Sequence, residues 1–223
     1  RDANEGLIGI KIITNGAAII EVNSETDFVS RNSEFHELVG EILNITIEEK
    51  GSFDSSSSKS KDKLNEAVGK IGENLVFKRS GYIEGNVHAY MHNSLADGLG
   101  KIGVIISLHS DKDIDVSEIG KNICMHIAAS SPQSISKDDL DDSIIESERE
   151  IIVQQLKDSN KPDNILSKMI EGKLNKYLEE IILLKQKFVI NPELNIEEYL
   201  KEESLKLGST INIEKFIRFE IGK

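Results

Sequence analysis

Residues 9 to 22 hold two short apolar runs, Gly9–Ile13 and Ala17–Val22, separated at Asn15-Gly16. Asn-Gly is the strongest two-residue hairpin signal, because the turn it favours needs φ > 0 at both central positions. Strands joined this tightly must run antiparallel. The same order of patterns then returns. Ser33–Ile47 carries apolar residues at 35, 38, 39, 42, 43 and 45, which is helical spacing, with Ser33 as the expected N-cap. Further on, Val87–His92 and Ile102–Leu108 read as strands around the turn region NSLADGLG. Val116–Ser130 then reads as a helix with 116, 119, 123, 127 and 128 on one side. Both halves follow strand, turn, strand, loop, helix at low mutual identity, which points to an internal duplication. Local hairpins flanked by helices make this an α+β chain of two related subdomains with small antiparallel sheets.

The remaining segments fit around these units. GSFDSSSSKSKD (51–62) is Ser-rich without periodicity and reads as a loop or flexible insert. A short helix is expected over 61–70 and a strand over 74–83. From about residue 137 the chain becomes a charged amphipathic helix. Pro162-Asp163 restarts a helix to about Glu180, and another helical stretch covers 193–206. The short apolar link between the last two suggests a projecting antiparallel helical hairpin, either an interaction arm or a plain packed pair. Alternation at Ile217, Phe219 and Ile221 marks a closing strand that returns to the second sheet. The expected organisation is therefore 1–83 and 84–150 as core subdomains, 151–207 as the helical hairpin, and 208–223 as the closing strand.

Composition narrows the partners. Among 223 residues the net charge is −12, and phosphate neutralisation needs clustered Lys and Arg, so nucleic acid and anionic membranes are poor partners. Aromatics are 5% and Trp is absent, so the core must be aliphatic. The single Cys124 excludes an intrachain disulfide and suits a reducing, cytoplasmic setting. No apolar run approaches the ~20 residues that span a bilayer. The chain opens on Arg1 with no signal peptide, which reads as a fragment or a processed product.

Enzyme motifs are missing. VGKIGEN (68–74) lacks the spacing of a phosphate loop. DKDID (111–115) starts like a calcium loop, but Val116 replaces its Gly and Asn122 its final Glu. His88 and His92 are four apart on what reads as a strand, so two solvated polar residues are favoured over a zinc pair. Cys124 and His126, two apart on a helix, face different ways; Cys124 reads as a small buried hydrophobe. The expectation is a protein that is not an enzyme and needs no metal or cofactor.

Asp27-Phe28 lies between the second strand and the first helix. Phe28 could fold back onto the following helix as a hydrophobic staple, with Asp27 as a turn residue or at the positive helix end. Alternatively Phe28 is an exposed wedge for a protein interface, with Asp27 accepting hydrogen bonds from a partner.

The stretch IIEVNSETDFVSRN resembles the signature of the elongation factor Ts family, matching at Glu21, Val22, Asn23, Ser24, Glu25, Thr26, Asp27, Phe28 and Val29. Four further stretches are similar in order: GKIGVII (100–106), MHIAASSP (125–132), KMIEGKLNKY (168–177) and FIRFEIG (216–222). The resemblance implies a guanine-nucleotide exchange factor for the GTPase elongation factor Tu. It implies that Thr26, Asp27, Phe28 and Val29 press near the GTPase's Mg²⁺ site, with Phe28 wedging and Asp27 anchoring. It further implies that Ile102, Gly103 and His126 form a second contact, although Gly103 could be small for strand packing and Ile102 could be core. Family members carry a helical module before the core, which is expected to be lacking here, since RDANEGLIGIKI resembles the core's start. Self-association through the hairpin is a further expectation, and a chaperone-like interaction module is the alternative function.

Overall fold

The computed structural model describes residues 2–51, 58–157, 159 and 161–223. The Ser-rich insert expected from the sequence falls largely in 52–57, outside the described residues. Two compact units emerge, residues 1–129 with 203–223, and residues 130–202.

The first unit contains two antiparallel sheets. β1 (Glu5–Ile13), β2 (Gly16–Ser24), β3 (Leu75–Glu84) and the two-residue β5 (Leu99–Gly100) form one, in the order β3-β2-β1-β5. β4 (Asn86–His92), β6 (Ile102–Ser110) and β7 (Ile211–Glu220) form the other, in the order β4-β6-β7. The sheets pack face to face. Ile8, Ala17, Ile19 and Ile83 from the first meet Ile105 and Phe219 from the second in one buried cluster. Gly103 permits this approach, since a Cβ there would stand 2.6 Å from Ile8 Cγ2.

Helices cover the outer faces. α1 (Ser33–Glu48) and α2 (Ser58–Ile71) lie on the first sheet. Phe35, Leu38, Val39, Ile42 and Leu43 of α1 pack with Leu7, Ala18, Ile20 and Val22, each burial being worth about 2 kcal/mol gross. Along β6, Val104, Ile106 and Leu108 alternate with Ile105 and so point away from the sheet interface, toward the side of α3 (Ser117–Ser130). Arg218 of β7 donates to the Ala128 carbonyl at 3.0 Å, which ties the end of α3 to this sheet.

The internal duplication is plain. In each sheet the second strand of the repeat is central, a helix follows it, and the third strand returns on the far side. β2 and β6 each have nine residues, and each has a register shift between its sixth and seventh, at Glu21/Val22 and Ser107/Leu108.

Three local expectations are corrected. The first hairpin turns on Thr14-Asn15, with Gly16 already in β2 opposite Ile13, and neither Asn15 nor Gly16 has positive φ. Gly16 is required for space, because a Cβ would stand 2.3 Å from the Tyr82 hydroxyl. The N-cap of α1 is Asn32, whose side chain accepts from the Glu34 N–H at 2.8 Å, and Ser33 is the first helical residue. Residues 58–60, expected in a loop, form the start of α2, with Ser60 in a buried position.

The second unit is helical. α4 (Asp142–Leu156) starts at an Asp141 cap, and α5 (Asp163–Ile181) starts after Pro162 as expected. These two share a core of Ile152, Leu156, Leu174, Leu178 and Ile181, with an Arg149–Glu171 ion pair of 2.6 Å between them. The helix whose buried face meets that of α5 is thus α4. Phe188, after α5, stacks on Tyr199 of α6 (Ile196–Leu207), ring centroids 4.3 Å apart.

Candidate functional site

β2 ends at Ser24, and the chain must turn from sheet edge to helix within eight residues before α1. Val29–Arg31 form a single 3-10 turn in that gap. Its inward residue is Val29, 6% exposed, which joins the cluster under α1. Its outward neighbour is Phe28, at 81% exposure the most exposed large apolar side chain among the described residues. Ser30 beside Val29 is buried as well, so the turn's inward side is Val29 and Ser30. Val29 takes the inward position, so Phe28 is not a staple on the helix.

The turn is held by an unusual number of bonds for an exposed loop. Ser24 Oγ donates to the Thr26 carbonyl at 2.9 Å. Ser30 donates to the Asp27 carbonyl through both Oγ, at 2.5 Å, and N–H, at 3.2 Å. The Ser30 carbonyl lies 2.8 Å from His36 Nε2, which ties the turn to α1. A second clasp reaches across 47 residues. The Glu73 carboxylate accepts from the Thr26 N–H at 3.1 Å and from its hydroxyl at 2.7 Å. In return the Glu25 carboxylate accepts from the Asn74 N–H at 3.1 Å. Asp27 stands exposed beside Phe28, and among the described residues no hydrogen bond or ion pair engages its carboxylate.

Beneath the turn, Glu21 is fully buried on β2 and receives Arg79 Nε at 2.6 Å, Lys78 Nζ at 3.3 Å and Asn23 Nδ2 at 3.1 Å. Clefts of about 570 and 640 Å³ elsewhere on the described residues include none of residues 24–31. The turn presents Phe28 and Asp27 to solvent and lines neither cleft.

Thr26, Asp27, Phe28 and Val29 thus form one turn. Ile102 and Gly103 open β6, opposite His92 and Met91 on β4. Ile102 is half-buried, Gly103 is buried against β1 and β2, and His126 is fully buried on α3. Of this second set only Ile102 reaches solvent. Sequence reasoning passed over Glu73. It lies beyond α2, and no spacing rule links it to Thr26.

Nearly the whole chain aligns with one known family. The elongation factor TS family matches over residues 25–223. The chain belongs to the elongation factor Ts family. Curated relatives named elongation factor Ts agree. That of Parvibaculum lavamentivorans is 42% identical over all of this chain and 76% of its own length. Those of Bartonella bacilliformis and Brucella anthropi are each 40% identical, again over all of this chain and 76% of their own lengths. The elongation factor Ts match begins at Glu25 and so contains the clasped turn entire, together with Glu73. No helix among the described residues is long and apolar enough to cross a membrane.

Proposed function

We propose that this chain is a guanine-nucleotide exchange factor that binds elongation factor Tu in its GDP form and promotes GDP release. The observation that carries the reading is Phe28, 81% exposed on a turn whose backbone is fixed from both sides. Leaving a large aromatic in water on an ordered loop forgoes burial worth about 2 kcal/mol, which an interface recovers.

In this reading Thr26–Val29 press against the GTPase near its Mg²⁺ site. Phe28 enters between side chains of the partner and displaces them. Asp27, with no internal partner, accepts hydrogen bonds from the partner's backbone or Arg. The metal bridges and neutralises phosphate charge in such GTPases, so moving the elements that hold it weakens nucleotide binding. Ile102, Gly103 and His126 belong to a second contact in this reading. Ile102 is its solvent-reaching member, and a role for His126 requires its ring to leave its cover.

The process is linkage. If the factor weakens nucleotide binding by a given ratio, nucleotide weakens factor binding by the same ratio. No covalent bond is made or broken, so the chain is a binding protein and not an enzyme, and it calls for no cofactor. A net charge of −12 suits a protein partner in the cytoplasm better than nucleic acid or a membrane surface.

The test is direct. Elongation factor Tu loaded with fluorescent GDP is mixed with this chain and excess unlabelled GDP, and release is followed. Acceleration that rises with factor concentration is the expected result. Release at the intrinsic rate, even with a large excess of factor, overturns the reading.

A further inference from the structure

The bond pattern behind the turn assigns a role to a residue outside it. Glu73 lies on the short link between α2 and β3, partly buried, and both its oxygens are used on Thr26. One takes the backbone N–H, the other the hydroxyl. This fixes the peptide plane and the side-chain rotamer of Thr26 together, which a single bond does not do. Glu25 reciprocates by taking the Asn74 N–H. Each segment therefore supplies a carboxylate and a backbone N–H to the other. Position 26 is immediately followed by Asp27 and Phe28, so the torsions set at Thr26 aim both.

Other contacts already hold the rest of the turn. Val29 already anchors the far end of the turn in the core, and Asn32 already caps α1. The Glu73 clasp adds only orientation of the segment before Asp27. We propose that Glu73 is a positioning residue for the exchange surface, holding Thr26 at two atoms so that Asp27 and Phe28 are presented in their binding geometry before the partner arrives. This rests on the exchange reading.

A preordered loop avoids a conformational tax. When only a fraction of molecules holds the competent geometry, the apparent dissociation constant rises by the inverse of that fraction. Loss of the clasp therefore raises the factor concentration needed for half-maximal GDP release and leaves the plateau rate unchanged. A competent fraction of one in ten gives about a tenfold rise.

The test uses this chain with Glu73→Ala and Glu73→Gln in the fluorescent-GDP assay. Glu73→Ala is expected to raise the half-saturating concentration about tenfold at an unchanged plateau, with only a small loss of melting temperature from the two hydrogen bonds removed. Glu73→Gln keeps an acceptor for the Thr26 N–H, and its amide can donate to the Thr26 hydroxyl, so it is expected to recover most of the loss. Amide hydrogen exchange at Thr26 in the free chain, accelerated in Glu73→Ala, reports the clasp without any partner. A Glu73→Ala chain that matches wild type overturns the proposal. So does one that loses plateau rate and melting temperature together, which marks a structural residue. Wild-type failure to release GDP, with Thr26 exchange still dependent on Glu73, instead overturns the exchange reading and the positioning role with it.

Discussion

Glu21 and Arg79 face each other across β2 and β3, the guanidinium Nε 2.6 Å from a carboxylate that is fully buried. Arg79 reaches further. It lies 4.3 Å over the Phe219 ring and donates to the Glu220 carbonyl at 3.2 Å, so one side chain joins the first sheet to the closing strand of the second. Breaking a buried pair strands its acid and typically costs 3 kcal/mol or more. Here Arg79 is 34% exposed and Lys78 still stands by Glu21, so solvent and the second cation soften the loss. Arg79→Ala is expected to destabilise by about 2 kcal/mol, read as a lower urea midpoint at unchanged m-value.

Gly120 of α3 faces His88 of β4. A Cβ at Gly120 would stand 2.2 Å from His88 Cγ, so Gly120→Ala forces the ring to move. The helix-propensity gain of up to about 1 kcal/mol is outweighed by overpacking of about 1–3 kcal/mol. The expected net loss is largely recovered in the Gly120→Ala, His88→Ala double variant, and thermal melts of the four chains measure the coupling. Burial also pushes the His88 pKa below its ordinary 6.5, with the nearby Asp115 carboxylate opposing. The neutral ring is thus favoured in the fold. Its contribution is fully present above about pH 6.5 and is lost as the pH falls below that value toward the folded pKa. A His88→Leu chain should show a flatter melting-temperature profile between pH 6.5 and 5.

Cys124 is fully buried on α3, and burial pushes its thiol far above the ordinary value of 9.0. The thiolate is the reactive species, so a disulfide reagent at pH 8 should modify native protein only at the rate of unfolding. The linkage sign follows from the raised pKa. The unfolded chain releases this proton near pH 9 while the folded chain keeps it. Stability is whole below pH 9 and declines above it, by at most about 1.4 kcal/mol per pH unit. Cys124→Ala should remove that part of the alkaline decline. A native chain that reacts fast and fully at pH 8 would contradict the burial.

Much of this fold is legible in the sequence because period-2 and period-3.6 patterns survive without tertiary information. β1, β2, α1, β6, α3 and β7 follow from apolar spacing, and the family match from a handful of residues around Thr26–Val29. The misses have a common cause. The first hairpin turns one residue earlier than the Asn-Gly signal places it, with Gly16 paired to Ile13 on one side and Glu84 on the other. Asn32 displaces Ser33 as cap although both residue types cap well, and only the backbone path decides between them. The turn's most consequential partner, Glu73, is separated from Thr26 by all of α1 and α2. Local pattern left Phe28 between staple and wedge. The structure places Val29 in the cluster under α1 and leaves Phe28 exposed.

Phe28 and Val29 are adjacent, and their truncations should have opposite consequences. Phe28 is 81% exposed, so Phe28→Ala removes almost no buried contact and should leave stability within about 0.5 kcal/mol. If it is the wedge, it behaves as an interface hot spot worth about 2 kcal/mol, and GDP release at subsaturating factor should slow roughly 30-fold. Val29 is 6% exposed in the cluster with Phe35 and Leu38, so Val29→Ala should destabilise by about 2 kcal/mol through lost burial and a small cavity. At temperatures well below its melting point, that variant should slow GDP release less than Phe28→Ala does, because the Val29 side chain faces the core while the clasp at Thr26 and the Asn32 cap hold the turn from either end. Melting curves and exchange rates on the same four chains, wild type, both singles and the double, separate the roles. If Phe28→Ala melted several degrees lower and exchanged normally, the aromatic would be a packing residue and the wedge reading would be lost.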